Sequence, residues 1–194
     1  LVLSSQSVHV LLNFAIGLIT FNVWGDGVLG RIRVAQNMTM LAGAAGDLGM
    51  RKVLPYELGK KPETRDETIK LSLGLWLVTS VIFTVLAIVP YLIPGVFATV
   101  WWWGVLAAFI VPARQLVNYT RGISLGLDRV SVFAKLTPFI ALIALVLVVI
   151  LGVIAGLDTP ELGWVRILAA VIASTVVGLY CLRFIAMHAS LGIA

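Results

Sequence analysis

The chain has 194 residues, of which 60% are hydrophobic and only 12% charged, and its mean hydropathy is +1.06. A soluble domain usually carries about a quarter of its residues as Asp, Glu, Lys and Arg, so this chain has too few charges to coat a water-facing surface. The net charge of +5 does not point to nucleic acid, because its Lys and Arg sit between apolar runs instead of clustering on one solvated face.

The natural unit of counting is then the membrane span of about 20 residues, and the chain divides into six. The first run, Val2 to Trp24, carries no charge and stops at Gly25-Asp26-Gly27. The second, Val34 to Leu54, is interrupted by Asp47, and its Ala42, Ala45, Gly46 and Gly49 provide small-residue spacings that allow close helix approach in lipid. A polar connector from Arg51 to Lys70, including KKPETRDETIK, cannot enter hydrocarbon and reads as the longest hydrophilic loop. The third run, Leu71 to Val89, reaches Pro90 and Pro94, which bracket a short turn before a fourth span over 97–120. The fifth covers 132–157 and the sixth 164–187, separated by Asp158-Thr159-Pro160-Glu161. Runs of this length bond their backbone internally as helices, so the expected fold is an all-α polytopic transmembrane bundle.

Short loops rich in Lys and Arg stay cytoplasmic. Arg51, Lys52, Lys60, Lys61, Arg65 and Lys70, with Arg114, Arg121, Arg129 and Lys135, fall on one side; Arg31, Arg33 and Arg166 fall on the other. This places both chain ends in the cytoplasm. The interface-loving aromatics Trp24, Tyr91, Trp101, Trp102, Trp103 and Trp164 fall at the opposite, outer ends of their spans. The opening LVLSSQSVHVLL has no basic segment or small-residue cleavage site and does not read as a signal peptide.

Polar groups at membrane depth cost free energy unless paired or wetted, which makes each a functional candidate. Gln6, His9, Asn13 and Thr20, with Gly17, recur at roughly helical spacing on the first span. Their face either lines an aqueous cavity or joins helices by hydrogen bonds. On the second span Asp47 stands four residues before Arg51; it is either a cation or proton site or a carboxylate neutralised by a local pair. On the fourth, Arg114, Asn118 and Arg121 share one face. Guanidinium groups fork onto phosphate oxygens, so this stripe suits a diphosphate, and snorkelling to the cytoplasmic surface is the plainer reading.

Other signals dissolve on inspection. Gly25 to Gly30 matches G-x-G-x-x-G, but a dinucleotide site needs a strand before it and a βαβ unit around it, and here a membrane-length run precedes it. Asn37-Met38-Thr39 and Asn118-Tyr119-Thr120 match a glycosylation pattern inside spans. Cys181 is the single cysteine and reads as a packing residue. No hydrolase, phosphate-cradling or metal-ligand motif is recognised, so neither an enzyme, a cofactor nor a metal is expected.

The glycine-punctuated WGDGVLGRIRVAQ, the small-residue second span ending AGDLGMRKVLPYELGKK, and the later stretch RQLVNYTRGISLGLDRVSVFAKL together resemble the first half of polysaccharide and lipid-linked oligosaccharide flippases. These belong to the multidrug, oligosaccharidyl-lipid and polysaccharide exporter superfamily. The resemblance implies two six-helix bundles around a cavity that opens alternately to each side of the plasma (inner) membrane. It implies a polyprenyl-diphosphate-linked glycan as cargo, with glycosyltransferases or a polymerase of the same pathway as partners. The chain would then be the amino-terminal bundle, with a second bundle to be supplied. A cation-coupled small-solute or drug exporter of the same superfamily, and a non-transporting membrane scaffold subunit, are the competing expectations.

Overall fold

The computed structural model describes residues 2–60, 62–93, 101–128, 130–156 and 162–190, and every regular element among them is helical. The first helix, α1, runs Val2–Trp24 with neither proline nor charge to interrupt it. Gly25 ends it at φ 84, a backbone region open to glycine and strained for other residues. The chain re-enters a helix at once as α2, Asp26–Gly46, whose first-turn Asp26 accepts the Gly27 N–H at 2.7 Å and faces the positive end of the helix dipole. The turn expected across the glycine motif is thus a single residue, and the helix begins eight residues before the apolar run expected as a second span.

After Gly46 the chain breaks again, through Leu48 at φ 47 and Gly49 at φ 76. A separate helix, α3, follows over Met50–Lys60. The region expected to be a hydrophilic loop is therefore largely ordered helix. Its apolar stripe is buried: Leu54 and Leu58 are 1% and 0% exposed. After a 3₁₀ turn at Pro62–Thr64, α4 extends from Arg65 to Leu92, with Asp66 and Glu67 in its first turn. The Arg65 Nε donates to the Leu58 carbonyl at 2.9 Å and closes the end of α3.

The fourth expected span contains α5, Trp101–Ala108, and α6, Ile110–Gly126, joined at Phe109. Pro112 lacks the N–H that would bond to Ala108, which accounts for a break in the ladder one turn before it. The Trp76 indole of α4 donates to the Pro112 carbonyl at 2.9 Å, tying the kink to its neighbour. Helix α7 spans Val130–Val148 and widens into a π-helical stretch, Val149–Ile154. The last helix, α8, is Val165–Ser190. The loop at 157–161 and the turn expected between Pro90 and residue 97 fall largely outside the described residues.

Helix α6 is the axis of the bundle: it packs against α2, α3, α4, α7 and α8. Around it lie two large core clusters, with a small third at Ala87, Ala108 and Val111. One large cluster gathers Trp24, Ile32, Trp103, Val165 and Ile167; the other gathers Leu54, Leu58, Tyr119, Ile123, Cys181 and Ile185. Of the aromatics expected at one membrane face, Trp102 meets Trp103 and Trp164 edge to face, each at 5.7 Å. Trp24 and Trp103, at 3% exposure each, serve as core residues.

Outer surfaces are apolar, with Leu71, Val81, Val85, Leu11 and Phe14 all exposed. Three helices, Ser7–Trp24, Arg65–Leu92 and Val165–Ile185, are long and apolar enough to cross a membrane, and Pro138–Ile154 is a shorter apolar stretch. An all-helical chain whose greasy side chains face outward is a membrane protein in character.

Candidate functional site: a buried polar centre beside converging arginines

Near the middle of α4, Thr79 and Ser80 interrupt an apolar run and turn inward, at 3% and 5% exposure. Both hydroxyls donate to the Gln115 Oε1 of α6, at 3.3 Å and 2.9 Å. Gln115 is fully buried, and its Nε2 has no hydrogen-bond partner among the described residues. Thr79 also shares its proton with the carbonyls of Leu75 and Trp76. Interhelical hydrogen bonds of this kind join transmembrane helices at modest gain, and an unfilled donor in the same place is a cost the fold carries.

The wall opposite Gln115 is the end of α2. Gly46 leaves no side chain there, and a methyl group at that position would overlap the Gln115 amide and approach the Phe83 ring at 2.9 Å. Asp47 follows immediately, part-buried, with its Oδ1 shielded from solvent and without a hydrogen-bond partner among the described residues. Its carboxylate lies within electrostatic reach of Arg51. The two residues stand on either side of a break between helices, in place of the continuous helical turn on which a local pair was expected. Tyr119, buried on α6, lies within electrostatic reach of Asp47.

A close helix crossing brings the basic groups together. Gly122 and Gly126 on α6 form a small-xxx-small pair against which α3 lies: a Cβ at 122 would meet Leu54 Cβ at 3.0 Å and the Met50 carbonyl at 3.3 Å. One at 126 would meet Leu58 Cβ at 2.7 Å. Met50 is followed by Arg51 and Gly122 is preceded by Arg121, so the crossing brings these two arginines within electrostatic reach of one another. Arg121 feels the charges of both Arg51 and Arg114. Arg114 is exposed, Asn118 and Arg121 are part-buried, and the stripe expected on one face of the fourth span is present on α6. Its neighbour Arg51 was not grouped with it in the sequence because the two lie on different helices.

The polar stripe of α1 is split by its surroundings. Thr20 is fully buried and donates to the Ile16 carbonyl at 2.6 Å. Asn13, seven residues earlier and hence on nearly the same face, is exposed; its Nδ2 donates to the His9 carbonyl at 2.8 Å and lies 3.1 Å from the His9 ring nitrogens. This face is covered at one end and open at the other. Gln6 belongs to α1, but its side chain lies outside the described part of the structure. The bonds of Asn13 stay within α1.

Sequence reasoning singled out Asp47, Arg114, Asn118 and Arg121, named Arg51 only as a neighbour of Asp47, and missed Gln115, Thr79 and Ser80. The adjacent polar pair in the third apolar run was the available signal for the buried centre. No group of three or more His, Cys, Asp or Glu is placed to hold a metal among the described residues. Comparison of the chain with protein families, with curated proteins and with solved structures gives no match.

Proposed function

We propose that the chain is one transmembrane bundle of an exporter that carries a polyprenyl-diphosphate-linked oligosaccharide across the plasma membrane by alternating access. The observation that carries this reading is the convergence of Arg51, Arg114 and Arg121 where α3 crosses α6, with Asp47 the carboxylate beside Arg51. Three guanidinium groups in a setting poor in acids favour a multiply charged anion, and their planar forks suit phosphate oxygens. The open face of His9 and Asn13 on α1 offers polar contacts to a glycan. In this reading six spans place both ends in the cytoplasm, and a second bundle, from the same protein or another copy, closes the cavity. Glycosyltransferases of the pathway supply the cargo.

The test is glycan export in cells carrying the full-length protein. Arg114→Ala and Arg121→Gln should each lower export at least tenfold while insertion into the membrane is unchanged. Export at the normal level from both variants removes the phosphate role.

A second reading, a cation-coupled exporter of small solutes, draws on Asp47, whose buried Oδ1 lacks a hydrogen-bond partner among the described residues. A shielded carboxylate of this kind is a proton or cation site by default in a membrane protein. Transport in membrane vesicles that does not respond to pH or to a cation gradient counts against it.

A further inference from the structure

Helix α3 is pinned to α6 along one side. Leu54 and Leu58 are buried, and their Cβ atoms lie so close to α6 that a methyl group at Gly122 or Gly126 would meet them at 3.0 Å and 2.7 Å. At about 100° per residue, the side of α3 opposite these two leucines carries Lys52, Val53, Tyr56 and Lys60. All four are exposed, so packing on one side fixes what the other side presents.

That outward face combines two chemistries. Lys52, Tyr56 and Lys60 follow one another at successive turns, a stripe about 12 Å long by helical rise. The Lys60 ammonium donates to the Tyr56 hydroxyl at 3.1 Å and stands 5.2 Å from the centre of its ring, so cation and phenol act as a unit. The hydroxyl keeps its own proton, and the ammonium its other N–H groups, to donate outward. Beside them Val53 and the Tyr56 ring, 47% and 61% exposed, give the face an apolar body. Glu57, the one acid in the sequence of α3, is part-buried and lies about 100° around the helix from Tyr56. Of the nearby acids, Asp66 and Glu67 stand in the first turn of α4, where the helix dipole favours them. Glu63 in the 3₁₀ turn and Asp128 beyond the end of α6 are exposed.

The place of the helix in the chain says what meets this face. Through the turn at Pro62–Thr64, α3 leads straight into Arg65–Leu92, which is long and apolar enough to cross a membrane. The 28 residues of that helix rise about 42 Å against a hydrocarbon core of about 30 Å, which leaves its charged first turns among the headgroups. The end of α3 borders the same layer. Lysines there attract anionic lipid, and tyrosine and valine suit a boundary that is wet on one side and apolar on the other. A phosphate in solution would have no use for the apolar half of the face.

We infer that Lys52, Val53, Tyr56 and Lys60 of α3 form a docking surface for the anionic headgroups of membrane lipid. The inference needs only the membrane character of the chain and stands apart from the exporter reading. Because the same helix carries Arg51 to the α3–α6 crossing, lipid held on its outer side steadies that crossing.

The test uses the full chain in phosphatidylcholine nanodiscs with increasing shares of phosphatidylglycerol, and an environment-sensitive dye on Gly59→Cys. Gly59 is exposed, and a Cβ there meets nothing within 4 Å; Cys181 is buried, and the parent protein carried through the same labelling is the control. A saturable blue shift of the dye is expected as phosphatidylglycerol replaces phosphatidylcholine. Lys52→Gln and Lys60→Gln should each weaken the response about fivefold, the usual contribution of one lysine at an anionic surface. Tyr56→Phe should weaken it by less, and Arg121→Gln should leave it unchanged. These site residues are exposed, so their variants keep the fold. Equal emission in both lipids overturns the surface, as does a full response from the double variant Lys52→Gln, Lys60→Gln. A response lost only in Arg121→Gln also overturns it and moves the headgroup to the arginines of the crossing. Reversal by millimolar inorganic pyrophosphate overturns it in favour of a soluble phosphate. A shift produced by polyglutamate and not by phosphatidylglycerol overturns it in favour of an acidic protein.

Discussion

Gly46 on α2 stands flush against the side-chain amide of Gln115 on α6, so that the buried centre of the bundle exists only because residue 46 has no side chain. Its helix position would otherwise favour alanine. The close approach lets two backbone-bonded cylinders share one polar contact point with Thr79 and Ser80.

Gly46→Ala should therefore destabilise the bundle by about 1 to 3 kcal/mol, the usual cost of forcing extra volume into a packed interior. The relief should be specific. Gln115→Ala, which removes the overlapped group, should restore much of that loss when combined with Gly46→Ala, giving a clear non-additive cycle. Thermal unfolding in detergent of the two single variants and the double measures it, and strict additivity would show that the amide is not what the methyl meets.

Ser80→Ala should cost about 0.6 to 1.7 kcal/mol, the range for interhelical hydrogen bonds in membranes. Gln115→Met alone should cost about 1 to 3 kcal/mol, because it takes away the acceptor of the buried Ser80 hydroxyl. Combined with Ser80→Ala it removes both partners, together with an Nε2 that has no partner among the described residues, so the double variant should lie within about 1 kcal/mol of the parent. A double variant much less stable than that would mean that Nε2 has a partner after all, such as a bound water.

The chain announced its membrane character through composition and run length, because lipid acts on every residue of a span alike. It announced Arg114, Asn118 and Arg121 because one helix's periodicity places them together. What stayed hidden depends on where the chain turns. Asp47-Leu48-Gly49 breaks the second span at two positive φ values, and only after that break does α3 fold back across Gly122 to deliver Arg51 to Arg121. The Gly25 hinge is similar: a run of apolar residues beginning at Val34 hid the first two turns of α2, since Arg31 and Arg33 interrupt the pattern while the backbone stays helical. Gln115 stayed hidden because a single polar residue one position from Arg114 makes no stripe of its own, and only packing shows that it meets α4.

Gly122→Val should loosen α3 from α6. The added side chain has no room against Leu54 Cβ and the Met50 carbonyl, and the small-xxx-small crossing is lost. Helix α3 is short and carries Pro55, so it has little helical stability of its own away from α6. Limited trypsin digestion should then cut at Arg51, Lys52 or Lys60 several-fold faster than in the parent protein, while α4 and α8 remain protected. Unchanged cleavage would show that α3 is held by other contacts.

Asp47→Asn separates the two readings of transport. Asparagine keeps the shape of the side chain and removes a charge that is poorly placed for burial, so folding stability should change by less than about 1 kcal/mol. If the arginines hold a diphosphate, Asp47 competes with the ligand for Arg51. Removing its charge should then tighten pyrophosphate binding at the α3–α6 crossing by a few-fold and leave the pH profile of export in place. If Asp47 carries the coupling proton, the same substitution should abolish the response of transport to a pH gradient and leave pyrophosphate affinity unaltered. Measuring both quantities on one variant decides between an anion grip and a proton site, because each reading predicts a change in one and constancy in the other.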